Sequence, residues 1–533
     1  MVSRFAIKRM LAKVLGVLAI STAAHASGPV PNPYLAAQTY AITHFDSAQS
    51  NAFPYAVPSG TQSTPTLAFP QAPAGPINLM TLATTSSDYM WGVSATSVGY
   101  IDVRNNGFRR VATLLLPGVQ SALVTLLSSL VYNPLLPLVN PIATVALAQT
   151  FLAQLPLGAG GGFPSAYSVV DSSNVLYINA GAQILALGYS PGGLLGPSIQ
   201  ILRSLDMSTI LQSGESITGV VMTYDGNLAI VGSRSLTIVG RNFGTPKGRV
   251  TFGSDETISN SAAVDENNGV YVVSDKLMRK VVWTGSTLSQ NAADGAWSSA
   301  YPTGDTYYTL FGSGSGSTPA LMGFGSDPDK LVVITDGKKQ MNLVAFWRDA
   351  IPSGFTNRIA GQIPVTCGLP PTYTGAIQSD QSVATNGYGA FVVNNVATSN
   401  TGTTPLVDNL LRGAPGAPPA PLGVQRFAWD TQTHAWSSVW ARADVSSDNM
   451  IPSVSAASNL VFVNGFYPTN NQGWTLDGLD WNTGATVHQT ILGPGPVGNG
   501  FYAEIQYMPD GDLLFNSLLG PMRVQEPGGA VLP

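Results

Sequence analysis

The sequence predicts an all-β chain built as a β-propeller, with a helical apolar insertion, and three observations carry that prediction. A unit of roughly blade length recurs from Ser165 onward. Each unit holds a tight-turn signal at the same place, and each turn is followed by a short run of β-formers. The organisation read from the chain is a signal peptide over 1–26, an irregular segment over 27–80, and the propeller over 81–533 with its insertion at 111–157.

The first 26 residues carry Arg4, Lys8, Arg9 and Lys13 and no acid, then an apolar run from Val14 to Ala24. Ala24-His25-Ala26 is a small-x-small cleavage site, so the segment has the grammar of a secretory signal cut after Ala26. The run is shorter than the ~20 residues a membrane-spanning helix needs. A periplasmic or secreted location is therefore expected. Cleavage removes four of the 24 basic residues and leaves 29 acids in excess. No basic run offers a footprint for phosphate, which argues against nucleic acid as a partner. Cys367 is the single cysteine, so neither an intramolecular disulfide nor a structural zinc site is available. Segment 27–80 is rich in Pro, Ala, Ser and Thr and is expected to wind over the surface.

The turns of the repeat are 171–174, 224–227, 265–269, 326–329, 385–389, 455–459 and 509–512, several with Asp-Gly or Asn-Gly pairs suited to tight hairpins. The strands that follow are centred on Leu176, Ala229, Tyr271, Val332, Phe391, Val461 and Leu514. Their steps are slightly longer than a plain four-stranded blade of about 40–50 residues, as loop insertions would make them. The count is seven blades, with six or eight compatible; the stretch around Tyr89–Val103 is either an eighth blade or the strand that closes the ring. Trp283, Trp429 and Trp481 each stand before a turn, where an indole packs between neighbouring blades.

With its Asp-Gly turns and the segment Asp480-Trp-Asn-Thr-Gly484, the region 165–525 resembles propellers of the NHL, gluconolactonase-like and quinoprotein-like type. The resemblance implies an architecture rather than an activity. Membrane-linked quinoprotein alcohol dehydrogenases carry adjacent cysteines near the cofactor, which a chain with Cys367 alone cannot supply.

From Val111 to Val170 there is no Asp, Glu, Lys or Arg. Asn140-Pro141 offers an N-cap and a Pro at the first helical position, while Pro117, Pro134 and Pro137 break any single long helix. Two helices of about 14 residues are expected, each about 21 Å long and too short for a bilayer core of about 30 Å. Three readings fit an uncharged pair: a buried cap on the propeller, a docking surface for a membrane or envelope partner, or a lid over an apolar small molecule.

Gly188-Tyr-Ser190-Pro-Gly192 matches a nucleophile elbow, but Pro191 lacks the N–H that the oxyanion hole requires, so a turn is expected. His44, His434 and His488 have no metal-ligand spacing and are expected on the surface or in loops. Gly312–Ser317 reads as a loop or linker. The innermost strands precede these turns of the repeat, and their early residues bring Asn260, Asp380, Asp448, Asn449 and Glu504 toward the channel mouth. Such oxygen ligands could hold Ca²⁺, and gluconolactonase-like propellers use a comparable set. The leading expectation is an exported ligand- or partner-binding protein. The alternative is an enzyme at the channel mouth, either a metal-dependent lactonase or lyase or a quinone-cofactor dehydrogenase.

Overall fold

The computed structural model describes residues 27–62, 66–68, 86–94, 97–117, 166–194, 196–304, 314–396, 420–448, 450–467, 472–494, 498–500, 502–517 and 520–526. These residues form a seven-bladed propeller. The first blade contains Ser168–Val170, Leu176–Ala180, Gln183–Ser190 and Ser198–Asp206, paired antiparallel from the channel outward. Five more follow over 217–251, 263–300, 320–364, 384–446 and 453–493. In the seventh, Gln506–Tyr507, Leu513–Ser517 and Gly520–Gln525 are completed by Thr66–Ala68 from the other end of the chain.

A three-stranded sheet, Tyr89–Val93, Ser97–Asp102 and Arg109–Leu115, fills the gap between blades seven and one. On one side Tyr100 stacks on Tyr189 at 3.9 Å, and the Trp91 indole N–H donates to Asn174 at 2.9 Å. On the other, Arg523 of blade seven donates to the carbonyls of Val103 and Gly107 at 3.3 and 3.2 Å. The same guanidinium holds Asp512 at 2.6 Å and is itself buried.

The second and third strands of each blade lie between neighbouring blades and are covered on both faces, which is why Leu228–Val231 is apolar throughout and Leu236, Ile238 and Val239 flank a single buried Thr237. Outer strands such as Ser198–Asp206 are mostly exposed or partly covered. The turns work as the repeat requires. Asp171 and Asp265 each accept two backbone N–H groups of their own turn and a tyrosine hydroxyl six residues on, Tyr177 and Tyr271. Asn174, Gly226, Asn268, Asn459 and Gly511 adopt positive φ there. The three tryptophans seat between blades as expected. Trp283 and Trp429 donate to the turn carboxylates Asp225 and Asp329 of the preceding blade, at 2.6 and 2.7 Å. Trp481 lies over Gly389 so closely that a Cβ there would come within 2.6 Å of the ring.

Two expectations need correction. Residues 111–115 of the insertion belong to the strand Arg109–Leu115, not to a helix, and there is no α-helix among the described residues. The two helices proposed within 118–157 lie outside the described residues. The early part of segment 27–80 does not wind over the surface, because residues 32–53 fill the central channel. They bond in turn to the innermost strands: Asn32 to Met222, Ala36 and Ala41 to Val170, Thr43 to Ser168, Ser47 to Val264, Ala48 to Leu321, Ser50 to Thr385 and Asn51 to Val454. The physical reason is that Tyr40, Ile42, Phe45 and Phe53 are all buried, and seven inner strands would otherwise leave backbone groups without partners.

Candidate functional site

All the innermost strands begin at one mouth of the channel, and the channel loop reaches that mouth at His44. Thr43 bonds Ser168 at the start of the first inner strand, and the next residue meets Glu504, two residues before the start of the last. Five non-glycine residues of this loop hold positive φ: Tyr40, His44, Phe45, Gln49 and Asn51. Such conformations cost about 1–3 kcal/mol each and persist where the surroundings fix them, as they often do at functional sites.

At the mouth the His44 backbone N–H donates to Glu504 Oε1, and His44 Nδ1 lies 3.5 Å from the same oxygen and 2.8 Å from Asn51 Oδ1. Burial pushes the Glu504 carboxyl well above the usual carboxylate range, with the His44 N–H acting in the opposite sense. Burial also lowers His44 to about 4, partly offset by its hydrogen bond to Asn51. Burial thus disfavours the charged form of each partner, and what joins them is the backbone N–H bond of His44 to the carboxyl. Burial raises the Tyr167 hydroxyl to about 12.

Of the other predicted residues, Asn260, Asp380 and Asp448 precede the strands of blades three, five and six. Tyr167 donates to Asn260 at 2.7 Å and lies 3.2 Å from the Thr318 hydroxyl. Asn260 in turn donates to the carbonyl of Gly316, so 314–317 is a packed loop at the mouth rather than a linker. Asp380 accepts from Asn395 and, at 3.2 Å, from Tyr502. Gln381 donates to the Asp448 carbonyl at 3.1 Å. Asn260, Asp380, Asp448 and Glu504 are all buried, whereas Asn449 lies outside the described residues. Among the described residues no three His, Cys, Asp or Glu side chains are grouped to hold a metal, so Asp380, Asp448 and Glu504 do not form a carboxylate cage.

Among the buried atoms here without a hydrogen-bond partner are Glu504 Oε2, His44 Nε2, Asn51 Nδ2, Gln49 Oε1 and Gln381 Oε1. Sequence reasoning missed His44 and Tyr167. His44 lies in a loop, as expected, but a buried one; the expectation is corrected for His488, which is buried within the strand Thr486–Gly493 between the Pro58 carbonyl and the Thr490 hydroxyl. His434 is half-buried, 2.9 Å from Asp329. Ser190 ends its strand and accepts from the Gly192 N–H at 3.4 Å, as a turn residue does. Cys367 is buried, and burial drives its thiol pKa far up, so it is an inert packing residue.

The His44 arrangement gives a pH prediction. In the unfolded chain the imidazole takes a proton near pH 6.5, while in the folded chain it stays neutral down to about pH 4. Below pH 6.5 the unfolded chain therefore binds the extra proton at this residue, and the His44 contribution to stability falls as pH drops, by up to about 3 kcal/mol. The raised carboxyls of Glu504 and Asp46 act in the opposite sense in both proteins, so urea unfolding at pH 7.5 and 4.5 should show wild type losing more stability, or gaining less, than His44→Gln. An equal change in both proteins would show that His44 does not titrate this way.

No model of a known protein family matches the chain. A protein of Archaeoglobus fulgidus described as uncharacterized is 35% identical over 390 residues, 69% of this chain and 72% of that protein. Among solved structures, a europium-containing methanol dehydrogenase is similar with a TM-score of 0.50 and 11% identity over 91% of each chain. At that identity the likeness is one of fold. The Neurospora crassa Pan2 WD40 domain covers 67% of this chain and 88% of its own at 11% identity and a TM-score of 0.36.

Proposed function

Given that this chain belongs to one family with the Archaeoglobus fulgidus protein, we propose that it is an exported propeller that binds a small, neutral, hydroxyl-bearing molecule at the channel mouth. The observation that carries this reading is the set of partnerless buried atoms, Glu504 Oε2, His44 Nε2 and Asn51 Nδ2, where the strained channel loop meets blade seven. A buried polar atom without a partner costs about 1–3 kcal/mol, and a ligand hydroxyl would recover that. The named residues of the mouth include no lysine or arginine, so nothing in this set favours an anion. Tyr167 and Tyr502 add aromatic surface beside hydrogen-bonding tips.

The enzymatic alternative has less support. A quinone cofactor lying in the channel would meet residues 35–53, whose backbone is bonded to the inner strands, so the residues present do not fit it. The membrane-surface, envelope-partner and apolar-ligand readings rest on 118–157, outside the described residues.

The test is a thermal-shift and calorimetric screen of sugars and polyols, with Ca²⁺ included, against wild type and Glu504→Gln. Glutamine keeps the neutral shape but changes the hydrogen-bonding atoms, so folding should be unaffected and affinity should fall about ten-fold, or about 1.4 kcal/mol. If no compound shifts the melting temperature, and the protein purified from its own host carries no small molecule, the reading fails. A response to Ca²⁺ alone would replace it with the metal-dependent alternative.

A further inference from the structure

We propose that the chain is processed by hydrolysis of the Ala26–Ser27 bond, and that the α-ammonium group so released docks on Asp327 and tethers the free end of the channel loop to blade four. In the hydrolysis water adds across the amide: Ala26 leaves with the carboxylate, and the Ser27 nitrogen takes up protons to become a cation. The inference goes beyond ligand binding at the mouth and shares with it only the premise of export.

Two independent observations meet at this bond. The sequence places a small-x-small cleavage site at Ala24-His25-Ala26, behind a basic and then an apolar stretch. The structure places the next residue on a carboxylate 300 positions away: Ser27 N donates to Asp327 Oδ2 at 2.8 Å, and Ser27 Oγ donates to Oδ1 at 3.1 Å. The carboxylate is fixed before Ser27 arrives. Asp327 closes its own turn, its N–H donating to the Phe324 carbonyl at 2.9 Å while its Oδ2 accepts from the Phe324 N–H at 2.8 Å.

Before cleavage the nitrogen on Asp327 is a neutral amide with one hydrogen. After cleavage the same atom carries a positive charge and three hydrogens, and the contact becomes a charge-assisted pair. The position matters to the channel loop. From Ser27 the chain passes Val30, whose carbonyl accepts from Tyr224 at 2.6 Å, and enters the channel at Asn32. The far end of the loop is held by pairing of Gly60–Gln62 with Thr486–Gly493. The ammonium on Asp327 holds the near end.

The experiment expresses the full 533-residue chain with export and determines the mass of the purified protein. The mass expected is that of a chain beginning at Ser27. The rate of α-amine acylation near pH 7.5 is then compared in wild type and Asp327→Asn. The pair keeps the amine protonated, so wild type should react about two- to five-fold more slowly, the range an exposed ion pair supports. A mature chain beginning elsewhere, or equal acylation rates, would overturn the proposal. Neither result depends on whether the mouth binds a ligand, so the two readings fail separately.

Discussion

Tyr40→Ala is expected to destabilise the protein by about 3–5 kcal/mol, the range for emptying a buried aromatic site. The ring is almost fully buried and packs against Phe45 at 4.6 Å, with Phe53 and Tyr55 each 6.3 Å away. Its hydroxyl bridges the backbone of blade seven, donating to the Tyr507 carbonyl at 2.7 Å and accepting from the Tyr507 N–H at 3.0 Å. Tyr40→Phe keeps the ring and removes those two bonds, so it should cost about 1–3 kcal/mol. Denaturant unfolding of the two variants separates packing from hydrogen bonding. A Tyr40→Ala protein within 1 kcal/mol of wild type, a loss too small for an emptied aromatic site, would mean that residues 32–53 are not seated in the channel.

Arg523→Met should cost a comparable amount, about 3–5 kcal/mol, because it removes one partner of a buried ion pair and leaves the other behind. Asp512 is 6% exposed and would lose its guanidinium, Asp510 would lose its contact at 2.5 Å, and the Val103 and Gly107 carbonyls would lose their donor. The methionine stem replaces much of the arginine's apolar packing, so the loss reports on charge and hydrogen bonds. Since the arginine joins blade seven to the sheet Tyr89–Val93, Ser97–Asp102 and Arg109–Leu115, amide hydrogen exchange in that sheet should accelerate together with the global loss. Asp512→Asn in the Arg523→Met background should restore part of the stability. A variant as stable as wild type, with unchanged exchange, would remove Arg523 from the joint.

The blades were legible in the sequence because each is a local object. A turn such as 171–174 and the strand behind it are fixed by neighbours in sequence, and the positive φ of Asn174 and Gly226 falls where the Asx and Asp-Gly signals place it. The seating of Trp429 was legible too, since an indole before a turn has a neighbouring blade within reach. The Asp329 carboxylate that receives its N–H lies 100 positions away and was not.

The channel loop was not legible, for a related reason. His44 and Glu504 are 460 positions apart, and residues 32–53 show neither a helical nor a strand period to announce a partner. The Pro, Ala, Ser and Thr content of 27–80 as a whole reads as a surface segment. The contrary signal was present in Tyr40, Ile42, Phe45, Phe53 and Tyr55, since a segment without a packing role is poor in aromatics. At the mouth, inner-strand order alone led to Asn260, Asp380, Asp448 and Glu504. The histidine that meets Glu504 comes from outside the repeat, so a reading of the repeat could not include it.

The path of the channel loop also bears on how the molecule is assembled. Its two ends, Ser27–Asn32 and Tyr55–Pro58, bond to residues at the far ends of the inner strands or in the turns beyond them: Asp327, Met222, Ser455 and Ser458. Entry and exit are therefore on the same side, opposite His44. The segment enters the ring doubled back, as a plug, and no chain end passes through. Such a topology is unknotted and can form around a ring that is already nearly closed. Yet its contacts with the inner strands join these residues to blades that follow them by more than a hundred positions. Contacts of such long sequence separation carry the full loop-closure entropy and form slowly. Seating of the plug is thus the natural last step of folding, and until it occurs the inner strands present unpaired edges.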